Sequence, residues 1–391
     1  MFPDYGRSIV NLVGSVEAAF GLRPLHDPLD ALEPESLRGR SVVALLVMDG
    51  LGAELLDAHA ASAPFLQAHR HSVISSVYPS TTAAAVTSLL SGMTPLEHGA
   101  LGWSLYLKEL GRYVDFLPFR DSVSGALLGR RESGMERILS IKNVFERLAG
   151  AGAETFYIAP RFIVTDQFAD ESSEPARRLG YRSLEGMFRL LARVARGRAR
   201  RSGALKRYVF CYAVEPDHTV HRNGTAGAKT ASVIRRLDGL LERASRRLAG
   251  TGTTILVTAD HGLVDTPVHL WLDEDPEAYR SLVMPPFPEK RFLSFHVKAH
   301  RRAAFPELMR RYGGEFLLLS REELLERGFL GRGNPHPKVD DFLGDFAALA
   351  TGTSQMHTRI AGAGREEKRF VAHHAGLRRG EMLVPLVRID A

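Results

Sequence analysis

The chain has 391 residues, 45% of them hydrophobic and 25% charged, with a net charge of +6 and a pI near 9.5. That is the balance of a soluble globular protein, long enough for one large α/β domain with an insertion or for two ordinary domains. The lone cysteine, Cys211, excludes a disulfide within the chain and a cysteine zinc site. The basic excess is dispersed, and no RRM, zinc-finger or helix-turn-helix signature occurs, so no nucleic-acid partner is expected. Its densest run, Arg193 to Arg201, ends an amphipathic helix starting near Ser183 and reads as a solvated helix end. The first 21 residues lack the pattern of a signal peptide and suit an amphipathic helix, with apolar Ile9, Val10, Leu12, Val13, Val16, Ala19 and Phe20. No run of about eighteen apolar residues is present, so no membrane span is expected, and the location reads as cytoplasmic.

Beyond that helix and a Pro/Asp-rich link over 23–37, strands and helices alternate. Strand 42–48 (VVALLVM) runs into an Asp49-Gly-Leu-Gly turn, and strand 72–79 precedes a small-residue helix from about Thr82 to Gly92. The alternation around Gly111 predicts a β-hairpin excursion. Helix IKNVFERLAGAG, strand TFYIAP, the Arg-rich helix, strand RYVFCYAV, helix 226–249 and strand TTILVTA follow. This order predicts an α/β fold, a mostly parallel central sheet sandwiched by helices. Residues 267–368 change character, with prolines and short strands and helices, and read as an inserted α+β cap. Residues 1–266 and 369–391 then form the core, the chain returning through His374 to a last strand, MLVPLV.

Seven residues carry the chemistry: Asp49, Thr82, Asp217, His221, Asp260, His261 and His374. Asp49, Asp217 and Asp260 each follow an apolar run, as buried parallel strands deliver ligands to the carboxyl edge of a sheet. Asp217 and His221 are four apart, a spacing that puts both on one face of a helical turn. Asp260 and His261 end a strand at Gly262, where they can address two neighbouring ions. Three carboxylates and three imidazoles are the ligand mixture for two zinc-like ions, and manganese would also be accepted. Thr82 stands at a strand-to-helix turn suited to an anion, where a metal-activated hydroxyl could attack phosphorus. A helix cap would equally be met by Ser80, Thr81 or Thr82.

The motifs MDGLG, YPSTTAAAVTSLLSGMTPLEHG, EPDHTVH, TADHG and HHAGLRRGEMLVPL resemble the alkaline phosphatase superfamily, and within it the type I phosphodiesterase/nucleotide pyrophosphatase branch. The resemblance implies an alkaline phosphatase-like fold and a two-metal phosphodiester or pyrophosphate hydrolase acting through a phospho-threonine intermediate on a small phosphoester. It also implies roles. Asp49, Asp260 and His261 would hold one ion beside the nucleophile Thr82, and Asp217, His221 and His374 the other. Thr82 is preferred to Thr81 because the family nucleophile stands three residues after the proline and ten before the glycine, here Pro79 and Gly92. His374 is preferred to His373 because the family's His-Gly-Gly reads here as His374-Ala375-Gly376.

Two departures bear on substrate. Ala85 replaces the asparagine that binds a phosphoryl oxygen in nucleotide pyrophosphatases, and Ala83 the phenylalanine of their base slot. Trp103 and Tyr106 offer a substitute stacking surface or sit in the core, and Lys108, Arg112, Arg120 and Arg161 are candidate anion binders. No C-x-P-x-R motif is present, against a sulfatase. A phosphomonoesterase or a phosphoryl-transferring mutase is the rival enzyme; a non-catalytic, metal-stapled phosphoryl-ligand binder is the rival outside enzymes. His98 reads as shaping the turn after the nucleophile helix, His218 as solvated or as supporting the metal motif, and His269, His296, His336 and His357, in or bordering the insertion, as surface residues or as lining the pocket mouth. Oligomeric state is not legible in the sequence.

Overall fold

The computed structural model describes residues 1–129, 142–197, 206–359 and 370–391. Its central sheet uses strands β1 (Val42–Met48), β2 (Arg70–Ser75), β3 (Glu154–Pro160), β4 (Arg177–Tyr181), β5 (Arg207–Ala213), β6 (Thr253–Thr258) and β7 (Leu383–Asp390). These lie in the order β2-β7-β6-β1-β5-β3-β4. All neighbours from β6 to β4 pair in parallel, whereas β7 runs antiparallel to both β6 and β2. Strands β1, β5 and β6 are buried along their whole length, which is why each reads as a continuous apolar run.

Register brings the ends of these strands level. Val47 of β1 lies opposite both Tyr212 of β5 and Thr258 of β6. Asp49 and Asp260 therefore emerge side by side, each two residues beyond that level. The backbone then joins them to the next ligand: Asp49 N–H donates to Ala213 O and Asp217 N–H to Asp49 O, both at 2.9 Å. The turn after β1 requires glycine. Gly50 has φ of +74°, and a Cβ there would stand 2.8 Å from the Cβ of Asp217.

Three elements depart from the sequence reading. Helix Ile9–Ala19 is buried on nearly every face rather than amphipathic, with Glu17 paired to Arg147 inside. Edge strand β4 (RRLGY) was not anticipated, because a strand with one neighbour and an exposed side keeps Arg177 and Arg178. The helix Gln167–Ser173 before it was also missed, although Asp166 caps it through Ala169 N–H at 2.7 Å. The hairpin at Gly111 forms, with Ser104–Leu107 paired to Arg112–Asp115 and a third strand, Arg120–Asp121, added. The Arg-rich helix spans Leu184–Arg196 from a Ser183 cap; the end of its basic run, 198–201, lies outside the described residues.

Between β6 and β7 stands a second, antiparallel sheet of Phe287–Pro288, Phe292–Phe295, Phe346–Ala350 and Phe316–Ser320, in that order. Leu293, Phe295, Phe305, Met309 and Phe316 form an apolar cluster of their own. Residues 360–368, the end of the expected insertion, lie outside the described residues. This second sheet is clamped to the core by one ion pair with no solvent exposure. Arg291 Nε and Nη2 donate to the Glu381 carboxylate at 2.7 and 2.8 Å, and that carboxylate also accepts from Gly376 N–H at 2.8 Å.

Removing one partner of such a pair strands the other charge. Glu381→Ala is expected to lower unfolding stability by about 3–5 kcal/mol in urea titration. A loss under about 1 kcal/mol, the scale of an exposed pair, would contradict the clamp.

Candidate active site

The carboxyl edge of β1, β5 and β6 carries a cluster of titratable groups. One atom each of Asp49, Asp260 and His261 lies within 4.8 Å of the others, and the same holds for Asp217, His261 and His374. His261 Nε2 is 3.5 Å from Asp49 Oδ1, 3.5 Å from Asp260 Oδ2 and 3.0 Å from Thr82 Oγ1. Ligands at about 2.1 Å from a tetrahedral ion lie about 3.4 Å apart, so these separations fit the edges of one coordination sphere. His221 and Asp217 share the helix Asp217–Asn223, with His221 Nε2 3.2 Å from Asp217 Oδ1. His374 joins them from the loop after Ala372–His373, its ring stacked on His261 at 3.9 Å and 5.1 Å from His221. All seven residues singled out in the sequence thus come together. His261 sits at the junction of the two groups.

Hydrogen bonds at the far side of each group aim the remaining atom inward. Asp260 Oδ1 accepts from Gly50 and His261 N–H at 3.1 and 3.0 Å, which leaves Oδ2 facing the cluster. The Tyr212 hydroxyl donates to Asp49 Oδ2, which leaves Oδ1. His221 Nδ1–H donates to Ala372 O at 2.7 Å, and His261 Nδ1–H to Gly262 O at 3.1 Å. With Nδ1 engaged in this way, each ring turns Nε2 inward, the nitrogen left to a metal. Asp49 Oδ1, Asp217 Oδ1, Asp260 Oδ2 and His374 Nδ1 are buried without a hydrogen-bond partner. Unpartnered buried acceptors of this kind are costly without a cation between them, so the residues fit divalent metal ions.

The electrostatics agree. Burial, then the charges of Asp260 and Asp217, push the Asp49 carboxyl well above the usual carboxylate range. Burial, then the imidazoles of His261, His373 and His221, hold His374 far below the usual histidine value and hence neutral. His373 instead pairs with Val264 in a short strand, and its Nδ1 accepts from His374 N–H at 3.0 Å.

Thr82 is the first residue of helix Thr82–Ser91 and carries no cap of its own. Thr81 stands at the cap position, yet its hydroxyl turns away and donates to Glu289 Oε1 at 2.6 Å. The helix start therefore has no side-chain cap, and its N–H groups and dipole face the site. Ala83 and Ala85 are fully buried, and neither side chain offers a polar atom there.

Tyr212 and Glu289 were missed by sequence reasoning. Tyr212 looks like any aromatic of a core strand. Glu289 lies in a Pro-rich stretch and reaches the site from the second sheet, where its Oε1 also accepts from Trp103 N–H at 2.7 Å. Two cavities open beside Thr82, of about 450 and 620 Å³, and Trp103 lines both. Tyr106 lines neither and packs edge-on against Tyr113. His98 is buried, bonded to Ser88 Oγ at 3.0 Å and to Ala100 N–H at 3.0 Å after the helix. His218 is exposed at both cavities, whereas His336 and His357, expected at the surface, are buried.

Tyr212→Phe removes the bond that fixes Asp49 while keeping the ring. Zinc affinity, measured by chelator competition, is expected to fall about 10–100-fold; an unchanged affinity would mean that Tyr212 does not orient the ligand.

The family model for type I phosphodiesterase / nucleotide pyrophosphatase matches residues 43–275, more than half of the chain. No curated protein sequence matches significantly. Among solved structures, murine ectonucleotide pyrophosphatase / phosphodiesterase 5 superposes with a TM-score of 0.63 at 16% identity, over 88% of this chain and 87% of that one. The human counterpart gives 0.63 at 14% identity, over 88% and 87%. Phosphonoacetate hydrolase from Sinorhizobium meliloti 1021, in complex with phosphonoformate, gives 0.61 at 18% identity, over 90% of each chain. At such identities the likeness establishes the fold, mixed α/β with a central, mostly parallel sheet. With six of the seven site residues inside the matched span and His374 beyond it, the chain belongs to the type I phosphodiesterase/nucleotide pyrophosphatase family of the alkaline phosphatase superfamily, a family of metal-dependent phosphoester hydrolases.

Proposed function

We propose that the chain hydrolyses phosphodiester or pyrophosphate bonds with Thr82 as nucleophile, through a phospho-threonine intermediate. The observation that carries this reading is the position of Thr82 Oγ1, 3.0 Å from His261 Nε2 at the start of an uncapped helix. That separation puts Oγ1 and His261 Nε2 on one edge of the coordination sphere they would share. The first N–H groups of this helix have no side-chain cap and would be donors for a non-bridging phosphoryl oxygen, a role that Ala85 has no side-chain group to fill. Asp49, Asp260 and His261 would hold one ion with Thr82, and Asp217, His221 and His374 a second. Ions bound there would neutralise phosphate charge and lower the pKa of the Thr82 hydroxyl. The mixed imidazole and carboxylate set suits zinc, and manganese is compatible with it.

Thr82 Oγ1 attacks phosphorus in line, the bond to the leaving oxygen breaks and that oxygen departs with a proton, and water then cleaves the Thr82–phosphoryl bond, releasing the phosphoryl group with the second substituent still attached. Glu289, holding Thr81 and Trp103, fixes the segment around the nucleophile. A threonine-to-alanine variant of the murine neighbour is described as inactive and in complex with AMP, which supports a threonine nucleophile and a phosphoryl ligand. A monoester reading draws on Arg222 and Lys290, which line the smaller cavity beside Thr82 and could meet the extra charge. We take 267–368 as a cap over a core of 1–266 and 369–391, a division supported by the separate sheet and apolar cluster. Among the described residues no helix is long and apolar enough to cross a membrane. A cytoplasmic location is part of the same reading, supported by the lone, buried Cys211.

Hydrolysis of bis(4-nitrophenyl) phosphate against 4-nitrophenyl phosphate by zinc-loaded protein tests the reading. Diester preference is expected, with Thr82→Ala reducing kcat at least about a thousandfold. Activity surviving in Thr82→Ala would remove the nucleophile, and monoester preference would shift the substrate class. Metal content in a His221→Ala, His374→Ala double variant should fall by about one ion per chain; full content would remove the site.

A further inference from the structure

The larger cavity, about 620 Å³, runs from Thr82, Asp49 and Asp217 away from the second sheet. Its walls are apolar and aromatic, with Leu128, Tyr157, Ile163, Phe168 and Tyr212. Trp103, Leu127 and Phe162 also line it, and they are three of the nine large apolar side chains left exposed among the described residues. Apolar side chains held open around one concavity are characteristic of a ligand site rather than of folding.

One cation faces this apolar space. Of the four candidate anion binders, Lys108 is paired with Asp341 at 2.6 Å and Arg112 lies 3.7 Å from Asp121. Arg161 is exposed and lines neither cavity beside Thr82. Arg120, on the short third strand of the hairpin sheet, lines the larger cavity, and its Nε is buried with no hydrogen-bond partner. A buried guanidinium N–H left without an acceptor is costly, and a bound anion removes that cost. Away from Thr82, the opposing charge is Asp166, whose Oδ1 is engaged by Ala169 N–H at 2.7 Å and whose pKa burial raises to about 7.

We propose that this cavity receives one substituent of the phosphoester, an apolar group of aromatic size bearing an anionic group, and that Arg120 binds that anion. The inference rests on the hydrolase reading above and names the substrate class it serves.

Three diesters of 4-nitrophenyl phosphate, with methyl, phenyl or 4-carboxyphenyl as second group, test it on the zinc-loaded full chain. Ratios of kcat/KM between substrates, compared across variants, cancel intrinsic reactivity. The carboxyphenyl-to-phenyl ratio is expected to fall about tenfold in Arg120→Gln. The phenyl-to-methyl ratio is expected to fall several-fold in Phe162→Ala and Leu127→Ser, whose exposed positions tolerate substitution. Ratios equal to wild type in all three variants overturn the proposal and leave the hydrolase reading standing. If wild type cleaves no diester, the hydrolase reading fails by itself, and calorimetry of phenylphosphonate and 4-carboxyphenylphosphonate decides the cavity. Tighter binding of the carboxylated probe, lost in Arg120→Gln, upholds the assignment; equal affinities overturn it.

Discussion

Three carboxylates and three imidazoles share one buried spot, and the rest of the structure answers to that constraint. Asp49, Asp217 and Asp260 are held together at the end of three adjacent strands, with acceptor atoms that no protein donor meets. Like charges so placed repel, and burial together with the two neighbouring carboxylates pushes the Asp49 carboxyl well up. The fold opposes this by fixing the outer atoms of the cluster, through Tyr212, the Gly50 and His261 N–H groups, and the carbonyls of Ala372 and Gly262. What remains unpaired is a set of inward-facing acceptors that fits divalent cations.

The same constraint explains the backbone around it. Gly262 has no room for a side chain: a Cβ there would stand 2.1 Å from Gly380 O. Ala375, following His374, adopts φ of +84°, a left-handed conformation that costs a non-glycine residue about 1–2 kcal/mol. Its N–H is bonded to Ser80 O at 2.9 Å, which ties the His374 loop to the segment leading into Thr82. The Arg291–Glu381 pair closes the arrangement, since Glu381 also accepts from Gly376 just beyond that loop.

Much of this was legible in the sequence, for a physical reason. Parallel strands covered on both faces read as unbroken apolar runs, so the polar residue ending each run stands out, as Asp49 and Asp260 do. The Asp217–His221 spacing works because those residues do form a helical turn. Illegible parts depend on pairings between distant segments. Tyr212 meets Asp49 across 163 residues, Thr81 meets Glu289 across 208, and Arg291 meets Glu381 across 90. Each of those residues has an ordinary local context. Edge strand β4 was hidden for the opposite reason, its exposed arginines breaking any apolar pattern. Burial of His336 and His357 likewise comes from neighbours far along the chain, such as His269 beside His357 at 2.9 Å.

Thr82 is where these features meet, at the helix start, beside both metal-ligand groups and between two cavities of different character. On the mechanism proposed, its oxygen becomes covalently bonded to phosphorus during turnover. Acid quenching of the zinc-loaded protein in the steady state with a diester, followed by peptide mass spectrometry, tests that most directly. A peptide is expected in which Thr82 carries the phosphoryl group together with the substituent that the diester retains. Steady turnover with no adduct on that peptide, together with an adduct on another residue or direct release of product, would contradict it.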